Sequence, residues 1–445
     1  MIEIANFLNK LVLYPIFGVP FIVLLTTLSA IFLTIRFRAI NLYGLFRVKK
    51  SAKHAMKKDE VSGFSAFMSA AGATLGMGNI VGGAVAVTIG GVGTLFWIVI
   101  SSLLFSIIKF TETYLGHKYR DESKDGTISG GGFFYIKKCL GTMNFPKAAG
   151  IIASIYAVSF MVTYLFAAGF QLNQISSLVD VEIFKPRNIE NGALISAVVI
   201  GIFVLFVLFG GIKRIGDIAT KLVPFMVLSH LLCSGYVIFN HIHNLDDAIL
   251  HIIQNAFGLD GAKGGVFFVI AYSFQRMLFA SDAGTGASAV ANSNSNKTSM
   301  EQALIVAMEP MLVALMMVIS GLVVILTHTH ITAQEVGLNG IHVINKAFSY
   351  GGGFISVIFW INISLFGITT IIGDGYYVEK AWYFLGKGRY IPHARMLYIF
   401  ACICCAIFPF NIIMPISDAT FFFAMLINVI CMLFISKLIF KEVRI

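Results

Sequence analysis

The chain has 445 residues, of which 58% are hydrophobic and only 12% are charged. Soluble domains carry about 25% charged residues. The composition therefore excludes a disordered protein, a secreted disulfide scaffold and an ordinary cytosolic enzyme, and it indicates a polytopic membrane protein. The formal net charge of +10 does not indicate nucleic-acid binding, because the basic residues lie in loops between apolar runs and form no single patch.

Eleven apolar runs follow one another along the chain, and each is long enough to cross a hydrocarbon core about 30 Å thick as a helix. Their apolar residues are continuous and do not alternate with polar ones, so we expect an all-α membrane protein. The predicted transmembrane segments are residues 14–36, 64–89, 92–115, 148–178, 192–212, 217–240, 264–292, 301–328, 351–379, 394–412 and 417–437.

The basic residues predict the orientation of these segments. Most Lys and Arg residues lie in the carboxyl-terminal tail and in the loops after the first, third, fifth, seventh and ninth segments; Arg47, Lys49 and Lys50 are in the first of these loops. Cytoplasmic loops carry the excess of positive charge. We therefore expect a multi-pass protein of a plasma membrane, such as a bacterial or archaeal inner membrane, with its amino terminus outside and its carboxyl terminus in the cytoplasm.

Two of the predicted segments contain sequences that disfavour a continuous helix. The second contains a glycine cluster between Gly72 and Gly83, and the seventh combines Asp282, Gly284 and Gly286 with several hydroxyl side chains. Each glycine in a helix interior costs about 1 kcal/mol relative to alanine. Some of these glycines, such as Gly83, are equally well explained by close helix packing.

The two interruptions occupy matching places, since each lies in the first segment of a five-helix set. Glycine-interrupted segments at corresponding positions of two halves indicate the substrate site of an inverted-repeat transporter. Unwound backbone frees N–H groups for a carboxylate and carbonyl groups for a cation. We expect an amino-terminal helix with a basic loop at 1–60, a first repeat at 61–240 and a second repeat at 241–445.

Several motifs, in order along most of the chain, resemble those of the alanine or glycine:cation symporter family. Gly76-Met-Gly78-Asn79-Ile-Val-Gly82 is similar to the family's G-T-G-N-I-A-G, and Lys109-Phe-Thr-Glu112 to its K-F-x-E. The stretches at 276–286 and 369–380 are similar to R-G-x-F-S-N-E-A-G-x-G and to T-T-I-x-G-W-S-Y-Y-G-E-K. This resemblance implies a five-plus-five inverted repeat of the leucine-transporter type, with two discontinuous helices and one additional amino-terminal helix.

The resemblance also implies two binding sites. A sodium ion would be held by three carbonyl groups and two hydroxyls, and a weaker second ion site would use Thr74 and Asn79. The implied sodium ligands are the carbonyls of Gly72, Leu75 and Phe366 and the hydroxyls of Thr369 and Thr370. The implied substrate-binding residues are Gly76, Met77, Gly78, Asn79, Gln171, Phe279, Ala280, Ser281 and Asp374.

Three positions depart from the family pattern. Met77 replaces a threonine, Ser281-Asp282 replaces Asn-Glu, and Asp374 replaces a tryptophan that narrows the family's pocket. An ionised aspartate at bilayer depth costs at least about 2.5 kcal/mol unless it is paired or hydrated. Asp374 therefore pairs with the substrate ammonium, admits a larger or more polar amino acid, titrates in proton coupling, or faces the cytoplasmic exit.

Other charged residues lie within predicted segments. Lys109 and Glu112 have the spacing of an intrahelical pair. For Arg276 we expect either pairing with Asp282 or a gating role.

These features favour a cation-coupled importer that carries Na⁺ and a small neutral amino acid such as alanine or glycine, with the lipid membrane as its environment. The alternatives are a relative that carries glutamine or another larger amino acid, or one that uses H⁺. An ion channel or a membrane enzyme is less favoured, because the sequence shows neither a repeated selectivity segment nor a clustered acid, base and nucleophile. We predict no catalytic residue, no nucleic-acid partner and no obligate protein partner.

Overall fold

A computed structural model describes residues 14–16, 19–47, 60–122, 128–143, 146–258, 265–338 and 340–443. Residues 1–13 and most of the predicted basic loop, including Lys49 and Lys50, lie outside this range.

The first half of the chain forms eight helices and four short strands among the described residues. The helices are α1 (Phe21–Arg36), α2 (Ile40–Arg47), α3 (Gly63–Thr74), α4 (Met77–Gly90), α5 (Thr94–Lys118), α6 (Gly132–Thr142), α7 (Pro146–Val179) and α8 (Gly192–Leu208). The strands form two antiparallel pairs, β1 (Pro15–Ile16) with β2 (Val19–Pro20) and β3 (Asp121–Glu122) with β4 (Ile128–Ser129). One π-helical turn (Asp180–Phe184) and one 3₁₀ turn (Lys185–Arg187) follow α7.

Helices alone make up the regular structure of the described second half. They are α9 (Gly211–Asn240), α10 (Leu245–Phe257), α11 (Gly265–Ser281), α12 (Ala287–Ala291), α13 (Ser299–Val306), α14 (Glu309–Leu326), α15 (Thr329–Val336), α16 (Ile341–Ser349), α17 (Gly353–Gly386), α18 (Ile391–Ala406) and α19 (Phe410–Val443). A 3₁₀ turn (Ile242–Asn244) joins α9 to α10.

The long apolar helices coincide in position with predicted transmembrane segments, whereas α2, α6, α10, α15 and α16 lie between those segments. Among the described residues, six helical stretches are long and apolar enough to cross a membrane, and α3 with α4 forms a further span bent by 47°. Four shorter apolar helices, α1, α8, α11 and α18, lie within other predicted segments. The fold is all-α, as predicted, whereas the number of crossings and the boundaries of the two repeats stay predictions.

Large apolar side chains cover the outside of the helix bundle. Phe267, Phe354 and Ile35 are 79%, 77% and 74% exposed, while Lys109 and Glu309 are at most 1% exposed. In water this distribution would be unfavourable, but in a bilayer the apolar surface faces lipid and the polar groups bond to one another. The chain is thus a multi-pass membrane protein.

Helix α7 lies at the centre of the bundle. It packs against α6, α8, α17, α18 and α19, and Gly169 allows close contact with Cys405 of α18. Helix α17 in turn packs against α3 and α9. This arrangement places the middle of α7 and of α17 beside the break between α3 and α4.

Candidate functional site: a cavity between two broken helices

The first break lies between α3 and α4 at Leu75 and Gly76. Helix α3 ends at Thr74, and Gly76 is extended, with φ −93° and ψ −177°, before α4 begins at Met77. The Met77 N–H, which has no partner within its own helix, donates to Gln171 Oε1 over 3.2 Å. The start of α4 therefore points free backbone N–H groups and the positive end of its dipole toward α7.

A side chain larger than hydrogen at Gly76 would displace its neighbours. A Cβ atom at this position would be 2.7 Å from both Gln171 Nε2 and Thr370 Oγ1. The glycine thus brings side chains of α7 and α17 against the unwound backbone.

The second break spans residues 282–286, between α11 and α12. Asp282, Gly284 and Gly286 have left-handed backbones, with φ of 53°, 100° and 87°. Gly286 N–H donates to Glu112 Oε1 over 2.9 Å. Asn428 Nδ2 donates to Gly284 O over 2.9 Å and to Glu112 Oε1 over 3.0 Å. Helices α5 and α19 therefore hold the unwound segment in place.

The expected Lys109–Glu112 pair is wrong. Lys109 Nζ lies 3.2 Å from Glu309 Oε1, whereas Glu112 accepts hydrogen bonds from the second break. The i, i+3 spacing permits contact, but a buried residue on α14 competes for the lysine, and backbone donors at the break bind the glutamate. Sequence reasoning missed this role of Glu112, although the K-F-x-E motif marked the residue.

The two breaks border one central cavity, which has a volume of about 30 Å³. Six of the predicted substrate-binding residues line it, and so do Asp282, Tyr164, Phe170 and Phe421. These six are Gly78, Asn79, Gln171, Phe279, Ala280 and Asp374.

The other three predicted substrate-binding residues lie next to this cavity but not in its lining. Gly76 forms the break itself, and the Met77 side chain is buried beside Gly367. The Ser281 hydroxyl donates to Met277 O within α11 over 2.7 Å. For Met77 and Ser281, only the backbone remains to contact a substrate.

The predicted sodium ligands lie on two facing helices, α3 and α17. Thr370 Oγ1 donates to Gly72 O over 3.3 Å across the interface. Thr369 Oγ1 donates to Phe366 O over 3.0 Å within α17. Leu75, the remaining predicted ligand, is fully buried at the end of α3. Hard cations prefer oxygen ligands, among them backbone carbonyls.

Thr74 and Asn79, the residues of the predicted second ion site, both line the central cavity. Asn79 Nδ2 donates to Thr74 O over 2.7 Å, which joins the end of α3 to the start of α4.

A second small cavity adjoins the central one and shares Gly78, Phe170 and Phe279 with it. Phe279 and Phe421 pack with their ring centroids 4.9 Å apart between α11 and α19. Beyond them Arg276 Nη2 lies 3.1 Å from Asp418 Oδ2, with both side chains buried. Pairing of Arg276 with Asp282 is therefore wrong, because Asp418 on α19 takes its place.

Asp374 is buried on α17, one turn after Thr370. It is 1% exposed, it lines the central cavity, and its Oδ2 atom has no hydrogen-bond partner among the described residues. Asp282 lines the same cavity from the second break. Cytoplasmic exposure of Asp374 is therefore wrong in this conformation, since the carboxylate faces the central cavity.

A bundle with two broken helices around a buried polar cavity is an architecture that secondary transporters use. Its fold resembles that of MhsT, solved in complex with L-phenylalanine, with a TM-score of 0.60, 15% identity, and coverage of 84% of this chain and 89% of that one. The match is to the leucine-transporter fold.

The sequence profile of the sodium:alanine symporter family matches residues 2–445, and the chain belongs to this family. It is 26% identical to the sodium/alanine symporter AgcS of Methanococcus maripaludis, over 96% of this chain and 94% of the relative. It is also 26% identical to the probable sodium/glutamine symporter GlnT of Bacillus subtilis, over 90% of this chain and 81% of the relative. The protein is thus a cation-coupled amino-acid transporter and not an enzyme.

Proposed function

We propose that the protein imports a small neutral amino acid together with Na⁺ by alternating access. The observation that carries this proposal is the hydrogen bond from Thr370 to Gly72 O, which joins α17 to α3 directly beside a cavity that both broken helices border. An ion bound at this interface would organise one wall of the substrate cavity.

The backbone and side chains of the cavity suit an α-amino acid. Its carboxylate would accept hydrogen bonds from the N–H groups at the start of α4, around Gly78 and Asn79, where the helix dipole favours negative charge. Its ammonium group would lie toward Asp282 and the carbonyl groups at the end of α11. Phe279 and Phe421 would cover the bound substrate.

Na⁺ binding and amino-acid binding would be coupled because the proposed Na⁺ site forms one wall of the substrate cavity. Na⁺ can favour the outward-facing state only through a higher affinity for that state. Because linkage is reciprocal, bound amino acid would tighten Na⁺ binding by the same factor. In the predicted orientation, separation of Arg276 from Asp418 would open the cavity to the outside, and the rocking bundle would then expose it to the cytoplasm.

A second candidate substrate is glutamine or another larger polar amino acid. Two observations favour it: the name of the GlnT relative, and Asp374 in place of the tryptophan that narrows the family's pocket. The second candidate for the coupling ion is H⁺ in place of Na⁺.

Counterflow tests the substrate assignment. Proteoliposomes loaded with unlabelled alanine would exchange it for external radiolabelled alanine, and each of the other amino acids would be added as competitor with Na⁺ or with choline. We expect competition by small neutral amino acids and dependence on Na⁺. Strong competition by glutamine alone would support the second candidate, and the absence of exchange for every amino acid in both salts would refute transport of amino acids.

A further inference from the structure

The central cavity is lined by two acidic side chains. Asp282 and Asp374 both line it, and they are 9% and 1% exposed. No lysine, arginine or histidine is among the described residues of its lining. Ionised carboxylates at bilayer depth are costly unless a cation or water accompanies them.

The nearby basic side chains are already paired elsewhere. Lys109 Nζ lies 3.2 Å from Glu309 Oε1, and Arg276 Nη2 lies 3.1 Å from Asp418 Oδ2. Asp374 Oδ2, by contrast, has no hydrogen-bond partner among the described residues. The carboxylate is therefore available to a cation that enters the cavity.

The proposed cargo does not balance this charge. A zwitterionic amino acid adds one positive and one negative charge, and one Na⁺ between α3 and α17 adds one more positive charge. With both aspartates ionised, the substrate ammonium and this ion together neutralise them, but the substrate carboxylate then lacks a full positive charge, since a helix N-terminus supplies only about half of one.

We propose that Asp374, together with Asp282, binds a second monovalent cation, Na⁺ or H⁺, which crosses the membrane with the amino acid. This inference rests on the proposed function. The transporter would then move two cations with each amino acid.

The groups that face the two carboxylates do not replace this cation. Tyr377 follows Asp374 on α17, Tyr164 faces it from α7, and Tyr398 and Cys402 face it from α18. Tyr164 Oη bonds to Thr285 Oγ1 over 2.7 Å, and Tyr398 Oη donates to Ile371 O over 2.6 Å.

On the side of Asp282 the charged neighbours are Lys109, Glu309 and Glu112. Lys109 bonds to Glu309, and the Glu112 Oε1 atom accepts bonds from the second break. Of the acidic side chains described in this region, Asp282 and Asp374 line the cavity, whereas Glu112 and Glu309 do not.

A null-gradient measurement counts the transported charges. Proteoliposomes of the full chain would hold equal Na⁺ and equal pH on both sides, with a potential of −100 mV imposed. The gradient of radiolabelled alanine, or of the strongest counterflow substrate, would be varied until net flux stops. At this potential each transported charge balances an about 50-fold gradient, from about 2.3 kcal/mol per charge. For two transported charges, we expect net flux to stop at an alanine gradient equal to the square of this roughly 50-fold ratio.

Two further measurements identify the second cation and test whether Asp374 binds it. A pH gradient at zero potential shifts the null gradient of the amino acid only if H⁺ is the second cation. A Na⁺ gradient at zero potential shifts it twice as steeply as one coupled Na⁺ would only if Na⁺ is the second cation. Asp374→Asn should reduce the null gradient about 50-fold, to the value for one charge. Asp374→Glu should retain the two-charge value, and Asp217→Asn, an exposed carboxylate on α9, is the matched control.

For a variant that binds but does not transport, the dependence of equilibrium amino-acid binding on Na⁺ and H⁺ concentration gives the same count. A one-charge null gradient in the native protein would overturn the inference, as would a two-charge value retained by Asp374→Asn. Neither result would affect the proposed function, which fails if no amino acid is transported or if uptake is the same in choline as in Na⁺.

Discussion

Thr370 connects the two walls of the site at the scale of single residues. Its hydroxyl reaches Gly72 O on α3, and the neighbouring Thr369 hydroxyl stays within α17. The spacing of the two threonines predicted one helix face, and the structure places that face against the first break.

Replacing Thr370 by alanine should weaken Na⁺ binding. Loss of an oxygen ligand to a charged partner costs about 1.5 kcal/mol, so we expect the Na⁺ concentration for half-maximal uptake to rise about 10-fold. Thr370→Ser keeps the hydroxyl and should stay near the native value. Unchanged Na⁺ dependence in the alanine variant would remove Thr370 from the ion site.

Asp374 is the residue that separates this chain from the pattern of its family. Asp374→Trp should fill part of the central cavity and shift selectivity toward alanine and glycine, because an indole ring excludes larger side chains. Counterflow competition with alanine, glycine and glutamine measures the shift. Equal inhibition profiles for the variant and the native protein would show that Asp374 does not contact the substrate's side chain.

At the scale of elements, the two broken helices depend on different kinds of support. The first is made by close approach at Gly76. The second is held by its Gly286 N–H, which donates to Glu112, and by Asn428, which donates to its Gly284 carbonyl. Glycine clusters make such breaks visible in sequence. The partners that hold the second break are 174 and 144 residues away from it, and no spacing rule predicts such contacts.

Gly76→Ala should block transport without unfolding the chain. The added methyl group would lie 2.7 Å from the side chains of Gln171 and Thr370, so that these must move out of position. We expect uptake to fall more than about 10-fold, since displaced binding groups cost well over 1 kcal/mol. Gly150→Ala on α7, where nothing lies within 4 Å, is the matched control and should transport normally. Native uptake by the Gly76 variant would contradict the described break.

Glu112→Ala should destabilise the second break. It leaves the Gly286 N–H and one Asn428 donor buried without their acceptor, which costs about 1–3 kcal/mol for each group. We expect a lower Tm in detergent, measured by a thiol-reactive dye or by size-exclusion after heating. Glu112→Gln keeps an acceptor oxygen and should lose less stability, whereas equal losses would indicate that the charge matters more than the hydrogen bonds.

At the scale of the whole molecule, the sequence predicted the all-α fold, the positions of the apolar segments and most of the cavity lining. It did so because glycine clusters, apolar length and hydroxyl spacing are local signals. The pairing of Arg276 with Asp418 and of Lys109 with Glu309 depends on which helices pack together, and in each pair the local expectation was incomplete or wrong.

Alternating access predicts a change in the accessibility of the second small cavity, which adjoins the central cavity at Phe279. Ser417 lines this cavity and is buried, so a Ser417→Cys variant without the six native cysteines would report its opening. Na⁺ alone should speed labelling by an impermeant external thiol reagent, and Na⁺ with amino acid should slow it. A labelling rate that changes neither with Na⁺ nor with the amino acid would exclude this cavity as the path from the outside.

The central claim is that Na⁺ bound between α3 and α17 drives an amino acid through the cavity between the two broken helices. It is tested most directly by uptake of radiolabelled alanine into proteoliposomes under an inward Na⁺ gradient at equal pH and zero potential. We expect transient accumulation above equilibrium, which disappears when choline replaces Na⁺ and weakens in Thr370→Ala. Uptake of the same size in choline, or none for any amino acid, would contradict it.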